Sequence, residues 1–181
     1  MAFEVLSIKI YTPHLGASIY VWTSILTITL AGLAAGYWSG GILSKKNSKK
    51  ALCISFIASG ILIFTSTFIA NMLLPAFMDL EIRLASIFSA FLILFFPMFF
   101  LGTISPLIVK FLNSFYAHLG RSAGLIYATG TVGGVFFVLI TVYAFIPFLG
   151  VRFTSFLLGT MLLLVGAIIT FYKLPLPNEK K

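Results

Sequence analysis

Apolar residues lie along this chain in long blocks, each of about 20 residues or more, closed by short polar or proline-bearing breaks. The blocks do not alternate with a period of two, so they describe membrane helices rather than the strands of a barrel. The first runs from Ser18 to Leu43 and is closed by the polar stretch Ser44 to Lys50. The second, Ala51 to Leu74, carries Asn71 and Pro75 at its far end and leads into a mixed-charge connection with Asp79, Glu81 and Arg83. The third, Leu84 to Leu112, is long enough to be tilted or broken. It holds Pro97, Gly102 and Pro106, and a kink is expected near one of the prolines, each of which removes a backbone donor. The fourth, Ser122 to Phe145, reaches the fifth, Phe153 to Tyr172, through a tight turn at Pro147 to Arg152. Ahead of them all, Met1 to Tyr11 sets Phe3, Leu6 and Ile10 near one helical face but is too short to cross a bilayer; Pro13 and Gly16 should end it. The pattern predicts an all-α, polytopic transmembrane helix bundle over residues 1–174, with five full spans and a short N-terminal helix. A polar tail, 175–181, follows.

Landmarks inside the blocks sharpen this picture. Tyr20 and Trp22 stand about 27 Å along the first span from Tyr37 and Trp38, close to the roughly 30 Å of a hydrocarbon core, so the pairs can mark opposite interfaces. Gly32, Gly36 and Gly40 recur every fourth residue on one face, where another helix can approach closely; Gly130 and Gly134 repeat the spacing in the fourth span. Close packing is the simpler reading of both ladders, with a path lined by small residues as the alternative.

Composition and charge exclude several classes. At 60% apolar and 9% charged, with mean hydropathy +1.12, the chain lacks the polar residues to cover a soluble domain. Its net charge of +8 sits in loops and ends, which suits membrane orientation rather than nucleic acid. With the loop after the first span inside, the inner side holds Lys45, Lys46, Lys49, Lys50, Lys110, Arg121, Lys173, Lys180 and Lys181, against Lys9, Arg83 and Arg152 outside. That bias predicts a cytoplasmic C-terminus in what is expected to be a prokaryotic cytoplasmic membrane. The cluster Lys45, Lys46, Lys49 and Lys50 is also suited to anionic lipid or an acidic partner. A single cysteine, Cys53, rules out an internal disulfide, and with two histidines, His14 and His118, no metal site or cofactor is expected.

Five stretches in order, FEVLSIKIYTPHLGASIYVWTS, GLAAGYWSGGILS, FLGTISPLIVK, LGRSAGLIYATGTVGGV and FIPFLGVR, resemble the membrane domain of spermidine-synthase-like membrane proteins, a major-facilitator-like domain fused to a spermidine synthase. The resemblance covers nearly the whole chain and implies one half of a major facilitator fold. It also implies that Glu4 and Lys9 belong to a first membrane helix beginning earlier than this sequence does, whether that helix is naturally short here or starts upstream. The usual Asp-Arg pair of facilitator proteins is replaced by Ser44-Lys45. In the family a cytoplasmic aminopropyltransferase-type domain follows the membrane part. This chain has no strand and glycine-loop unit of that kind and few acidic residues, so no enzyme activity is expected and no catalytic residue is assigned.

The candidate chemistry is accordingly sparse. Glu4, with Lys9, is the candidate intramembrane polar site, because an acid at membrane depth is costly unless paired; the alternative is a side chain that simply reaches water or headgroups. Thr27, Thr29, Ser59, Thr103, Ser105, Thr131 and Thr141 could bind a weakly polar solute, or bond their own helix backbones. The scarcity of intramembrane polar groups, the short first helix and the 20 phenylalanines, which supply contact area rather than chemistry, point to a non-catalytic membrane subunit that packs with or anchors partner proteins, other membrane subunits or a second copy. A small dimeric transporter of a polyamine-like or other small solute is the alternative.

Overall fold

The computed structural model describes residues 1–44, 48–113 and 119–171, with side chains outside 112–122. The described residues are almost entirely helical with no strand, in the order α1 (Ala2–Leu15), α2 (Ile19–Leu43), α3 (Ser48–Leu73), α4 (Ile82–Ala90), α5 (Phe96–Asn113), α6 (Leu119–Ile140) and α7 (Ile146–Phe171). Four segments are long and apolar enough to cross a membrane: Ile19–Leu43, Ser48–Phe77, Ile82–Phe111 and Ala123–Phe171.

Local chemistry explains the element ends. Ser18 caps α2, its hydroxyl accepting from the Val21 N–H at 3.3 Å. A short 3-10 turn, Leu74–Phe77, closes α3 around Pro75. Of the two residues expected to end α1, Pro13 and Gly16, Gly16 does so. The helix runs through Pro13 to Leu15 and ends at Gly16, because a proline in the last turn removes one donor while Gly16 adopts φ 73°, ψ 175°, a region that side chains resist. The expected tight turn at Pro147–Arg152 is likewise reduced to one residue. Helical geometry persists through Leu149, and Gly150 alone bends the chain with φ 79°, ψ 167°. Both glycines close the same sequence, Pro-x-Leu-Gly, at Pro13 and Pro147. As one rod the 49-residue segment Ala123–Phe171 would measure about 74 Å, more than twice the hydrocarbon thickness. The bend at Gly150 divides it.

Two further irregularities share a cause. A π turn at Phe91–Phe95 joins α4 to α5 just before Pro97, and another at Thr141–Phe145 joins α6 to α7 just before Pro147. Each proline lacks the N–H for the carbonyl four residues back and its ring crowds that carbonyl; a wider turn relieves both. The kink sought in the third span therefore belongs to Pro97. Helix α5 continues through Gly102 and Pro106, and both residues lie against α2, at Gly36 and Gly40.

The core lies along two seams, α2 against α5 and α3 against α7, tied together where α3 meets α5. On the first seam a Cβ at Gly32 would lie 2.9 Å from the Phe95 carbonyl oxygen, one at Gly36 2.8 Å from Gly102 Cα, and one at Gly40 2.7 Å from the Pro106 ring. Backbone thus meets backbone along three turns. The second seam is built the same way around Gly60, Gly159 and Gly166, with a Cβ at Gly159 falling 2.7 Å from Phe64 Cα. Hydroxyl pairs join three helix pairs: Ser24 to Ser86 at 3.1 Å (α2–α4), Ser55 to Thr103 at 2.5 Å (α3–α5), and Thr67 to Ser155 (α3–α7). Leu6, Ile25, Ile63, Leu94 and Met98 fill the space between.

Candidate functional site

Glu4 sits half-buried in the first turn of α1, where helix-terminal N–H groups favour a carboxylate. Its Oε1 lies 3.3 Å from Thr29 Oγ1, but that hydroxyl has one proton and also lies 2.9 Å from the Leu26 carbonyl of its own helix. The nearer acceptor takes the larger share of the proton, so Thr29 holds Glu4 weakly. Lys9, five residues on, points away and is exposed. The two residues expected to form one polar site are therefore separated. Among the described residues the only ion pair is Arg83 with Glu81, at 3.4 Å.

The larger feature lies beside the start of α1. A groove of about 690 Å³ runs between α2, α5 and α6, with Met1 at one side and Tyr37, Ser105, Tyr127, Gly130 and Gly134 among its walls. The hydroxyls of Tyr37, Ser105 and Tyr127 make no hydrogen bond among the described residues, whereas Thr129 and Thr131 each donate to a carbonyl of α6 at 2.7 Å. A second groove, of about 560 Å³ and almost wholly apolar, flanks Met1 on its other side against Phe137 and Leu158. Helix α6 consequently stands apart. In the apolar 18-residue stretch of Ala123–Phe171 only 6% of residues are buried, against 33% to 44% in the corresponding stretches of the other three segments.

This changes the expectation for the second glycine ladder. A Cβ at Gly130 would meet nothing within 4 Å, as at Gly124 and Gly133, and one at Gly134 would meet only Met1 Sδ, at 3.3 Å. Among the described residues no helix packs on Gly130, although its spacing copies the ladder that makes the α2–α5 seam. The difference lies in what faces the ladder: α5 presents Gly102 to Gly36, whereas no described residue is brought within 4 Å of a Cβ at Gly130.

The remaining candidates are scattered. Lys49 borders an apolar pocket of about 260 Å³ with Leu52, Phe56 and Leu107, Lys50 is exposed, and Lys45 and Lys46 lie outside the described residues. Lys110 Nζ donates to the Ser44 carbonyl, holding the end of α2 against α5. Of the other hydroxyls, Ser59 bonds its own helix at Phe56 O, Thr103 joins Ser55, Thr27 is exposed, and Thr141 is fully buried with no partner among the described residues. His14 Nε2 lies 3.4 Å from Asn71 Oδ1; His118 and the tail 175–181 are outside the described residues. Cys53 is a half-buried free thiol, and no group of three or more metal-ligating side chains occurs among the described residues.

Sequence reasoning overlooked the hydroxyl pairs and the groove, since each joins residues from different helices. Tyr37 carried a signal, but as an interface marker rather than as a groove wall. The chain matches no protein-family model, and no curated protein or solved structure matches it significantly.

Proposed function

We propose that this chain is a non-catalytic integral membrane subunit that packs with or anchors partner proteins, similar to the membrane part of spermidine-synthase-like proteins. Its five spans, α2, α3, α4 with α5, α6, and α7 beyond Gly150, make one half of a major-facilitator-like bundle with a cytoplasmic C-terminus. The observation that carries the reading is α6, whose glycine face, Gly130 with Gly134, is bare but for Met1 Sδ and borders a groove with three unused hydroxyls. Small residues let a second helix approach to backbone contact, and in lipid that approach, with interhelical hydrogen bonds, is what drives association. A partner helix laid there would cover both the ladder and the hydroxyls of Tyr37, Ser105 and Tyr127.

The same groove favours a second reading, a small dimeric transporter in which two copies enclose the space and its hydroxyls hold a small polar solute. Gentle detergent extraction followed by identification of the associated proteins separates the two. A stoichiometric partner that cross-links to a cysteine at Phe137, two turns along the same face from Gly130 and exposed, in a Cys53→Ser background, supports the subunit. A homodimer that exchanges labelled solute in liposomes supports the transporter. A monomer that cross-links to nothing refutes both.

A further inference from the structure

At the end of the bundle where Gly16 and Gly150 bend the chain, a cleft of about 430 Å³ opens between α3 and α7. It is lined by Thr67, Phe68, Asn71, Met72, Arg152 and Phe156. Its polar groups divide unequally into used and unused. Thr67 is bonded to Ser155, and Asn71 Oδ1 faces His14 Nε2 at 3.4 Å. The Asn71 amide N–H groups and the whole Arg152 guanidinium have no partner among the described residues. What the cleft has to offer is therefore donors only, one of them a fixed positive charge with a forked set of N–H groups. A ligand for it must bring acceptors and a negative charge. The acidic residues at this end do not supply them, since Glu81 pairs with Arg83 and Asp79 makes no ion pair with Arg152.

The walls specify the rest of the ligand. Phe68 is 70% exposed and Met72 75%, and Phe156 stacks on Phe64 at 4.7 Å beside them, so the cleft continues into an apolar strip along the outside of the bundle. Asn71 lies two residues from the end of α3 and Arg152 two residues past the Gly150 bend, which puts the donors near the end of both helices, with Met72 level with them and Phe68 and Phe156 about one turn deeper. Donors at headgroup level above an apolar strip match a molecule with an anionic head and a hydrocarbon chain.

We propose that this α3–α7 cleft binds the phosphate of an anionic membrane phospholipid, with Arg152 and the Asn71 amide holding the phosphate oxygens and an acyl chain lying along Phe68, Met72 and Phe156. The guanidinium fork takes the two non-bridging oxygens of the phosphodiester, and the amide donates to one of the same two. The site is separate from the α6 groove and does not depend on how that groove is used.

The test uses the full-length chain in mild detergent, with native mass spectrometry reading adducts during titration with dioctanoyl phosphatidylglycerol, dioctanoyl phosphatidylcholine or inorganic phosphate. Phosphatidylglycerol should bind in preference to phosphatidylcholine. Arg152→Gln should weaken it about tenfold, the scale of one lost charge-assisted contact. Asn71→Asp, nearly isosteric and still able to face His14, should abolish it by setting a carboxylate against the phosphate. Equal affinity in Arg152→Gln would overturn the proposal, as would displacement of phosphatidylglycerol by equimolar inorganic phosphate, which would mark a site for the free anion. If Arg152→Gln does not fold, Asn71→Asp decides by the same readout: undiminished phosphatidylglycerol binding refutes the site.

Discussion

Gly36→Ala isolates the physics of the α2–α5 seam. The added Cβ would strike the Phe99 carbonyl oxygen and lie 2.8 Å from Gly102 Cα. Both obstacles are backbone, so no side chain can rotate away and the helices must separate. Overpacking of this kind costs about 1–3 kcal/mol, and the rigid partners place it near the upper figure. Against that, alanine is favoured over glycine within a helix by about 1 kcal/mol. The net expectation is destabilisation of about 2 kcal/mol. Gly41→Ala, five residues along the same helix, supplies the control, because a Cβ there meets nothing within 4 Å and only the helix-propensity gain of about 1 kcal/mol remains. The two variants should differ by about 3 kcal/mol, more than a hundredfold in the unfolding equilibrium. Thermal or steric-trap unfolding of the purified chain in one detergent measures the difference. If Gly36→Ala proves as stable as Gly41→Ala, the backbone contact between α2 and α5 is wrong.

Three further expectations test other parts of the structure. Thr103→Val removes the Ser55 contact between α3 and α5 and should cost no more than about 1.7 kcal/mol, the largest value typical of hydrogen bonds between membrane helices; a loss well beyond that would mean the pair does more than join two helices. Glu4→Gln keeps the side-chain shape and leaves the Thr29 hydroxyl its own-helix acceptor, so assembly and stability should be unchanged, and a collapse of either in a co-purification and melting assay would restore Glu4 as a site. For the orientation proposed from the lysine bias, a cysteine at Ser48 should be shielded from an impermeant external reagent while one at Met78 is labelled in intact cells. The reverse labelling would invert the topology.

The helical blocks were legible because a membrane leaves the backbone few alternatives, and four of the segments were found long and apolar enough to span. The ends were less legible. Pro13 and Pro147 looked like breaks, yet both lie inside helices, and the glycine three residues after each does the bending. Of the two prolines in the third span, only Pro97 follows a π turn, while Pro106 rests its ring against Gly40. A proline in sequence marks a missing donor. Whether the helix widens there or simply tolerates the gap depends on what crowds it from outside.

The amino-acid sequence by itself determined that this chain is a set of apolar helices joined by short polar breaks, because the length of an apolar run and the lack of alternation are properties of a single segment. It also marked which faces were small enough for close approach. Only the tertiary structure decided what those faces do. Gly32, Gly36 and Gly40 meet the backbone of α5, while Gly130, at the same spacing, meets open space. A ladder states that a helix can be approached, and its occupancy depends on how each helix is rotated and on what surface, many residues away in sequence, arrives opposite. The hydroxyl pairs and the Arg152 cleft follow the same rule, since each exists only where two helices bring their halves together.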